Sequence, residues 1–235
     1  MSIESVMTPR LLAISHSVPD GGSLADIGTD HAYIPIYLCQ KGRIDTALAM
    51  DVRSGPLSRA EENICRYGLC DRIKTRLSDG LSALCEGEAD TVVIAGMGGL
   101  LIAELLARAP VTAKTYVLQP MTAVPELRLW LLENGFAILD ECLAQEGEKL
   151  YTIITAECGS MTIEKPVYAY VGKRLLEKRD PLTPVLIDML LKKYIAAQAG
   201  LLRSERPETR EKEEHCTHMI TSLMQLKKEC EAWSL

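Results

Sequence analysis

The 235-residue sequence is poor in aromatic side chains, with one Phe, two Trp and eight Tyr. That scarcity excludes the base-stacking platforms on which single-strand nucleic-acid binders rely. Long apolar runs are missing too, and nothing approaches the roughly 20 residues a bilayer-spanning helix needs. No membrane partner is expected. The opening MSIESVMTPR carries an acid early and no apolar core, so a cytoplasmic protein without a secretory signal is expected. Eight cysteines, at 39, 65, 70, 85, 142, 158, 216 and 230, include no C-x-x-C pair. They read as free thiols used as small core residues. No metal is expected: His215-Cys216-x-His218 lies in a polar helical stretch without two matching ligands, and reads as a solvated face. The G-x-G-x-x-G fingerprint of nicotinamide enzymes is also absent.

What remains is an ordinary globular composition, 47% hydrophobic and 25% charged. The net charge of −6 conceals an asymmetry. Residues 1–162 hold 13 basic and 21 acidic side chains, whereas residues 163–235 hold 13 and 11. An acidic body with a mildly basic tail is compatible with RNA contact at the tail.

Thr8-Pro9 starts a helical pattern as N-cap and first helical residue. Strands and helices then alternate: strands over 23–28, 46–52, 72–80, 90–96 and 115–120, helices over 31–42, 55–68, 100–109 and from 124 to Gly135. FAILDECLAQEG and KLYTIITAEC, joined at Gly147-Glu148, have hairpin spacing. Five βα units followed by a hairpin predict an open, mostly parallel sheet with one antiparallel strand. That succession resembles the seven-stranded sheet of class I methyltransferases. Beyond about residue 165 the β pattern vanishes. Helices over roughly 183–204 and 208–231, separated at Arg206-Pro207-Glu208, look like a coiled-coil hairpin. The expected seam uses Leu186, Met189, Leu190, Tyr194, Ala197 and Leu201 against Met219, Leu223, Leu226 and Cys230. Two domains are expected, 1–162 and 163–235.

Four features fall at consecutive strand ends, where parallel sheets bind ligands. The first is Asp26-Ile27-Gly28-Thr29-Asp30-His31, before a helix whose free N–H groups can meet an anion. Alone, it is also a generic turn with a capping Asp. The second is Asp51, placed to accept both ribose hydroxyls of an adenosine cofactor, or simply a turn residue. The third is Ser78-Asp79-Gly80, whose Asp can reach an adenine amino group. In the fourth, Ala95-Gly96-Met97-Gly98-Gly99, glycines leave room for a methyl donor and a nucleobase, or for a packed loop.

DIGTDHAYIP, MDVRSGP, SDGL, IAGMGG, LQP and EGEKLYTIITAE together resemble the bacterial tRNA (adenine-22 N1)-methyltransferase family. The resemblance is close over residues 8–160 and general in the tail, where that family has a coiled-coil appendage. It implies a Rossmann-like class I fold, S-adenosyl-L-methionine as cofactor and tRNA as partner. Carried over by position, Gly28, Thr29, Asp30 and His31 would contact the cofactor, with Asp51 at the ribose, Asp79 and Gly80 at the adenine, and Gly96 and Met97 beside the methyl group. The family usually has Asn after L-Q-P, where Met121 stands here. If that Asn holds the target base, its task passes to Gln119 or elsewhere.

N1 of adenine already has a lone pair, so methyl transfer needs positioning more than a base. The Asp/Asn-Pro-Pro-aromatic signature of amino-methyltransferases is absent, which disfavours an exocyclic nitrogen. Asp26 and Asp30 are the candidates to stabilise the cationic product, although Asp26 also reads as a structural cap and His31 as a loop residue. Tyr168, Tyr170, Lys173, Arg174, Lys178 and Arg179 could grip RNA backbone, with Lys173 and Arg174 the leading pair, or serve only as a charged start to the tail. A monomer is expected. The alternatives are a class I methyltransferase acting on another substrate, and a non-catalytic cofactor-binding RNA-interaction protein.

Overall fold

A computed structural model describes residues 2–201 and 210–234. The chain divides into two compact units, Met1–Thr162 and Ile163–Leu235.

In the first unit, α1 (Pro9–Ser17) begins where the Thr8 hydroxyl accepts the N–H of Leu11, and Pro9 supplies the helical φ. Then follow β1 (Ser23–Ile27), α2 (Tyr33–Gln40), β2 (Thr46–Asp51), α3 (Ser54–Arg66), β3 (Ile73–Leu77), β4 (Thr91–Gly98), α4 (Gly99–Ala107), β5 (Thr115–Thr122), α5 (Val124–Glu133), β6 (Phe136–Glu146) and β7 (Lys149–Cys158). The strands form one sheet in the order β3-β2-β1-β4-β5-β7-β6. β1 to β5 pair in parallel; β7 runs antiparallel to both β5 and β6.

Alternate residues of the central strands feed two cores, as a sheet covered on both faces requires. Leu24, Val93 and Val117 pack on one face with Ile14, Leu38 and Ile64 of α1, α2 and α3. Ala25, Ile94 and Leu118 pack on the other with Ile102 of α4 and Leu127 and Leu131 of α5. Chain direction across the sheet reverses between β1 and β4, which opens a crevice at their carboxyl ends.

Two expectations are corrected. β3 and β4 are connected without a helix, so four strands rather than five are followed by one. The link closes as a turn because both terminal nitrogens of Arg76 bond the Glu88 carboxylate, at 2.6 and 2.8 Å. The cysteines are not uniformly buried free thiols: Cys85 and Cys158 are exposed, and Cys65 and Cys70 are joined sulfur to sulfur.

The second unit holds α6 (Tyr168–Val171), α7 (Lys173–Glu177), α8 (Thr183–Leu201) and α9 (Arg210–Glu231). Its core is built from Val171, Ile187, Tyr194, Cys216, Met219, Leu223, Leu226 and Cys230. The α9 seam is as expected; on α8 Tyr194 is buried and Leu186, Leu190 and Leu201 pack against the core as expected, Ile187 joins it, and Met189 and Ala197 are exposed instead. Cys216 belongs to that core rather than to a solvated face. The expected break at Arg206-Pro207-Glu208 lies outside the described residues.

Candidate active site

The carboxyl ends of β1 to β5 converge in the first unit. Backbone bonds lace them together: Gly28 and Thr29 donate to the Met50 carbonyl at 2.8 and 2.9 Å, and Ser78 donates to the Asp51 carbonyl at 2.9 Å. Gly28 has φ +76°, and a Cβ there would run into Met97 Cε. The positive φ favours glycine there, and any Cβ would also displace the methyl tip of Met97. Gly80, at φ +56°, rests on Leu105 in the same way.

Two cavities meet here and share Gly28, Ala95 and Gly96. One, of about 320 Å³, is bounded by Asp51, Arg53, Ser78, Asp79, Gly80 and Met97 over an apolar floor that includes Ile27 and Leu105. The other, of about 450 Å³, is bounded by Asp26, Thr29, Asp30, His31, Tyr33 and Gly96, with Thr8, Arg10 and Leu11 from the start of α1. Met97, in the wall of the first, lies on Gly28, which both share. The first lobe offers a carboxylate and apolar walls to a nucleoside. The second sets carboxylates and one guanidinium around a space suited to an amino-acid zwitterion. A bent ligand made of those two parts fits the pair.

Asp26 is buried, 6% exposed. Burial pushes its carboxyl up to about 6, against a hydrogen bond from Thr29 that lowers it, with a small further rise from Asp51. Asp51 is equally buried, and its Oδ1 accepts the N–H of Arg53 at 2.8 Å. Asp30 is different: it is exposed, ion-paired with Arg59 and 3.5 Å from His31 Nε2. The bond from Arg59 holds its carboxyl below the usual range. Asp79 is also exposed, 3.7 Å from Arg108.

Gln119 is fully buried and fully engaged. Its Oε1 accepts Arg10 Nη1 at 2.8 Å and the N–H of Gly96 at 3.2 Å; its Nε2 donates to the Pro120 carbonyl at 2.9 Å. Gln119 is thus not presented to a ligand but props up Arg10 and the Gly96 loop. Met121 is 46% exposed beside it. Lys173 and Arg174 belong to the second unit, and both are ion-paired there, Lys173 with Glu164 at 2.6 Å and Arg174 with Glu177 at 2.7 Å.

Three contributors are not among the residues that the sequence singles out. Arg10 is anchored by Gln119, lies 5.5 Å from the Tyr151 ring centroid, and has its backbone N–H on Glu146 at 2.8 Å. Arg59 and Asn63 sit one turn apart on α3; Arg59 grips Asp30, and Asn63 Nδ2 donates to the His31 carbonyl at 3.1 Å. Their i, i+4 spacing in an otherwise apolar-faced helix is the available signal. Among the described residues no cluster of three His, Cys, Asp or Glu could hold a metal, and no helix is long and apolar enough to cross a membrane.

The sheet order, the crevice and the two-lobed cleft define a class I methyltransferase, and residues 7–154 match the methyltransferase-domain family model. A tRNA (adenine(22)-N(1))-methyltransferase of Bacillus subtilis is 36% identical over 159 residues, 66% of this chain and 67% of that protein. The crystal structure of the B. subtilis M1A22 tRNA methyltransferase TrmK superposes with a TM-score of 0.84 at 27% identity, covering 93% of this chain and 97% of that one. Streptococcus pneumoniae Sp1610 in complex with S-adenosyl-L-methionine gives 0.77 at 30% identity, over 94% and 99%. The chain belongs to the tRNA (adenine-22 N1)-methyltransferase family.

Proposed function

We propose that this protein transfers a methyl group from S-adenosyl-L-methionine to N1 of adenine 22 in tRNA. The observation that carries the reading is the two-lobed cleft at the β1/β4 crevice, with a buried carboxylate in each lobe. Its supports are the B. subtilis relative and the cofactor-bound S. pneumoniae neighbour.

The cofactor, when bound, supplies an electrophilic sulfonium methyl group. Asp51 would take the ribose hydroxyls, Asp79 and Gly80 would border the adenine, and Gly28 would let the ligand lie on bare backbone. Asp26, buried in the other lobe, would face the cofactor's ammonium and offset positive charge close to the reacting atoms. Gly96 and Met97 would wall the methyl group, with Gln119 fixing the Gly96 loop from behind. Asp30 and His31 would close the rim, Asp30 already committed to Arg59. No general base is required, because N1 attacks with its own lone pair and the product carries the charge. Positioning and exclusion of water are the chain's contribution.

Lys173 and Arg174 would meet RNA phosphates. Their carboxylate partners do not prevent this, since exposed ion pairs contribute only about 0–1 kcal/mol and exchange readily. We further propose that the protein acts as a cytoplasmic monomer.

Incubation with labelled S-adenosyl-L-methionine and unmodified tRNA, followed by nucleoside mass spectrometry, tests the assignment. Label should appear in 1-methyladenosine and vanish when adenine 22 is replaced. Label in N6-methyladenosine, in a methylated guanosine or only in protein would refute it.

A further inference from the structure

Cys65 and Cys70 stand apart from the other cysteines. Both are exposed, their sulfurs meet, and their Cα atoms are 5.4 Å apart, inside the range that a disulfide spans without moving the backbone. Cys39, Cys216 and Cys230 are buried; Cys85 and Cys158 are exposed and free.

Local folding brings the two together. Cys65 lies in the last turn of α3, and the chain then reverses through Gly68 at φ +70°. The N–H groups of Gly68 and Leu69 donate back to the carbonyls of Cys65 and Ile64, each at 3.0 Å. Lys74 Nζ donates to the Cys70 carbonyl at 2.7 Å, which fixes the backbone at that cysteine. The pair therefore closes the C-terminal end of α3. From that end Arg66 Nη1 bonds Asn63 Oδ1 at 3.1 Å, and Asn63 in turn holds the His31 carbonyl in the glycine loop.

We infer that Cys65 and Cys70 form a reversible dithiol–disulfide site, oxidised by low-molecular-weight disulfides, whose closure stiffens the end of α3 that supports the glycine loop. One cysteine thiolate attacks a sulfur of a small disulfide such as oxidised glutathione, forming a mixed disulfide and expelling one thiolate. The second cysteine thiolate then attacks the protein sulfur of that mixed disulfide, closing the Cys65–Cys70 bond and expelling the other thiolate. Two protein thiols are oxidised, one small disulfide is reduced to two thiols, and the protein's two protons end on those products. The nearby partner makes the second step intramolecular. Cys85 and Cys158, free and exposed, serve as internal controls.

The full chain would be equilibrated in glutathione buffers of graded ratio, quenched with an alkylating agent and digested for mass analysis. The peptide carrying Cys65 and Cys70 should lose the mass of two hydrogens in oxidising buffer and regain it on return to reducing buffer. Cys85 and Cys158 should instead carry glutathione or the alkyl label. Glutathione on both Cys65 and Cys70, or both alkylated under conditions that modify the controls, would overturn the site.

The link to the glycine loop rests on the cofactor reading above and is measured separately, by calorimetry with S-adenosyl-L-methionine. Oxidised protein should bind several-fold tighter than reduced protein, and Cys65→Ser should make affinity indifferent to the buffer. Equal affinities in both states would overturn the link. If neither state binds, the cofactor reading fails and the link with it, while the thiol measurement still decides the site itself.

Discussion

At the scale of single residues, two buried carboxylates divide the work, and their environments give each its own signature. Burial raises the Asp26 carboxyl to about 6, from 3.8 for an ordinary aspartate. The ionised form is therefore penalised in the fold. That penalty is absent below pH 3.8, grows as pH rises through the window up to about 6, and is complete above it. A pKa raised by about 2 corresponds to a penalty of about 3 kcal/mol. Asp26→Asn should therefore raise the ligand-free melting temperature at pH 7.5 and leave it nearly unchanged at pH 4. A cationic ammonium beside Asp26 favours the carboxylate, so affinity for S-adenosyl-L-methionine should fall as pH drops through about 6. An affinity flat from pH 5 to 8 would take Asp26 out of that contact. Asp51 makes the complementary case: Asp51→Ala should weaken cofactor binding by roughly 1–3 kcal/mol, the scale for losing a hydrogen-bonded charge. Met97 adds a kinetic signature, since its Cε lies on Gly28, the residue at which the two lobes meet. Met97→Ala should speed association of the whole cofactor more than that of adenosine, measured by stopped flow. Equal acceleration for both ligands would mean that Met97 guards the nucleoside lobe alone.

At the scale of elements, α3 holds the loop after β1 through one exposed side chain, Arg59, and one buried side chain, Asn63. Asn63 is 8% exposed and bonded to both Arg66 and the His31 carbonyl. Asn63→Ala strands that carbonyl and should cost about 1–2 kcal/mol in stability by denaturant titration, with a matching loss of cofactor affinity. Loss of stability alone would reduce α3 to scaffold. Elements like this are legible in the sequence where a local signal coincides with a tertiary need. Thr8-Pro9, the Gly147-Glu148 turn and the strand-end aspartates all combine intrinsic preference with position. The helix after β1 starts later than its pattern implies, at Tyr33 instead of His31, because residues 28–32 are drawn out into the loop, with Ala32 at φ +54°. The strand pattern leaves no helix between β3 and β4, but the closure of that link is not legible, because it depends on Arg76 reaching Glu88, a pair that no periodicity marks. Gln119 looks available to substrate in the sequence, as any strand-end amide does. Only three-dimensional packing shows both ends of that amide in use. Arg10, brought from α1 to the far side of the cleft, leaves no trace in local sequence at all.

At the scale of the whole molecule, charge poses a problem that the tail can solve. Residues 1–162 carry eight more acidic than basic side chains, on the count of 21 against 13, so the body alone repels a polyanion. Residues 163–235 carry two more basic than acidic, 13 against 11, and own a separate apolar core. The first unit needs nothing from the second to cover its sheet, since α1 to α5 already bury both faces. A chain ending at Thr162 should therefore fold, by circular dichroism and cooperative melting, and bind S-adenosyl-L-methionine with the affinity of the full protein. It should bind tRNA more weakly. Because each lost phosphate contact removes about one counterion from the equilibrium, the slope of log affinity against log salt should also become shallower. Lys173→Ala with Arg174→Ala in the full chain should reproduce part of that change in slope and leave cofactor binding untouched. If the shortened chain methylates tRNA at the full rate, with an unchanged salt slope, then RNA is held by the acidic body after all. The cations around the cleft, Arg10, Arg53 and Arg59, would then be the side chains to remove next.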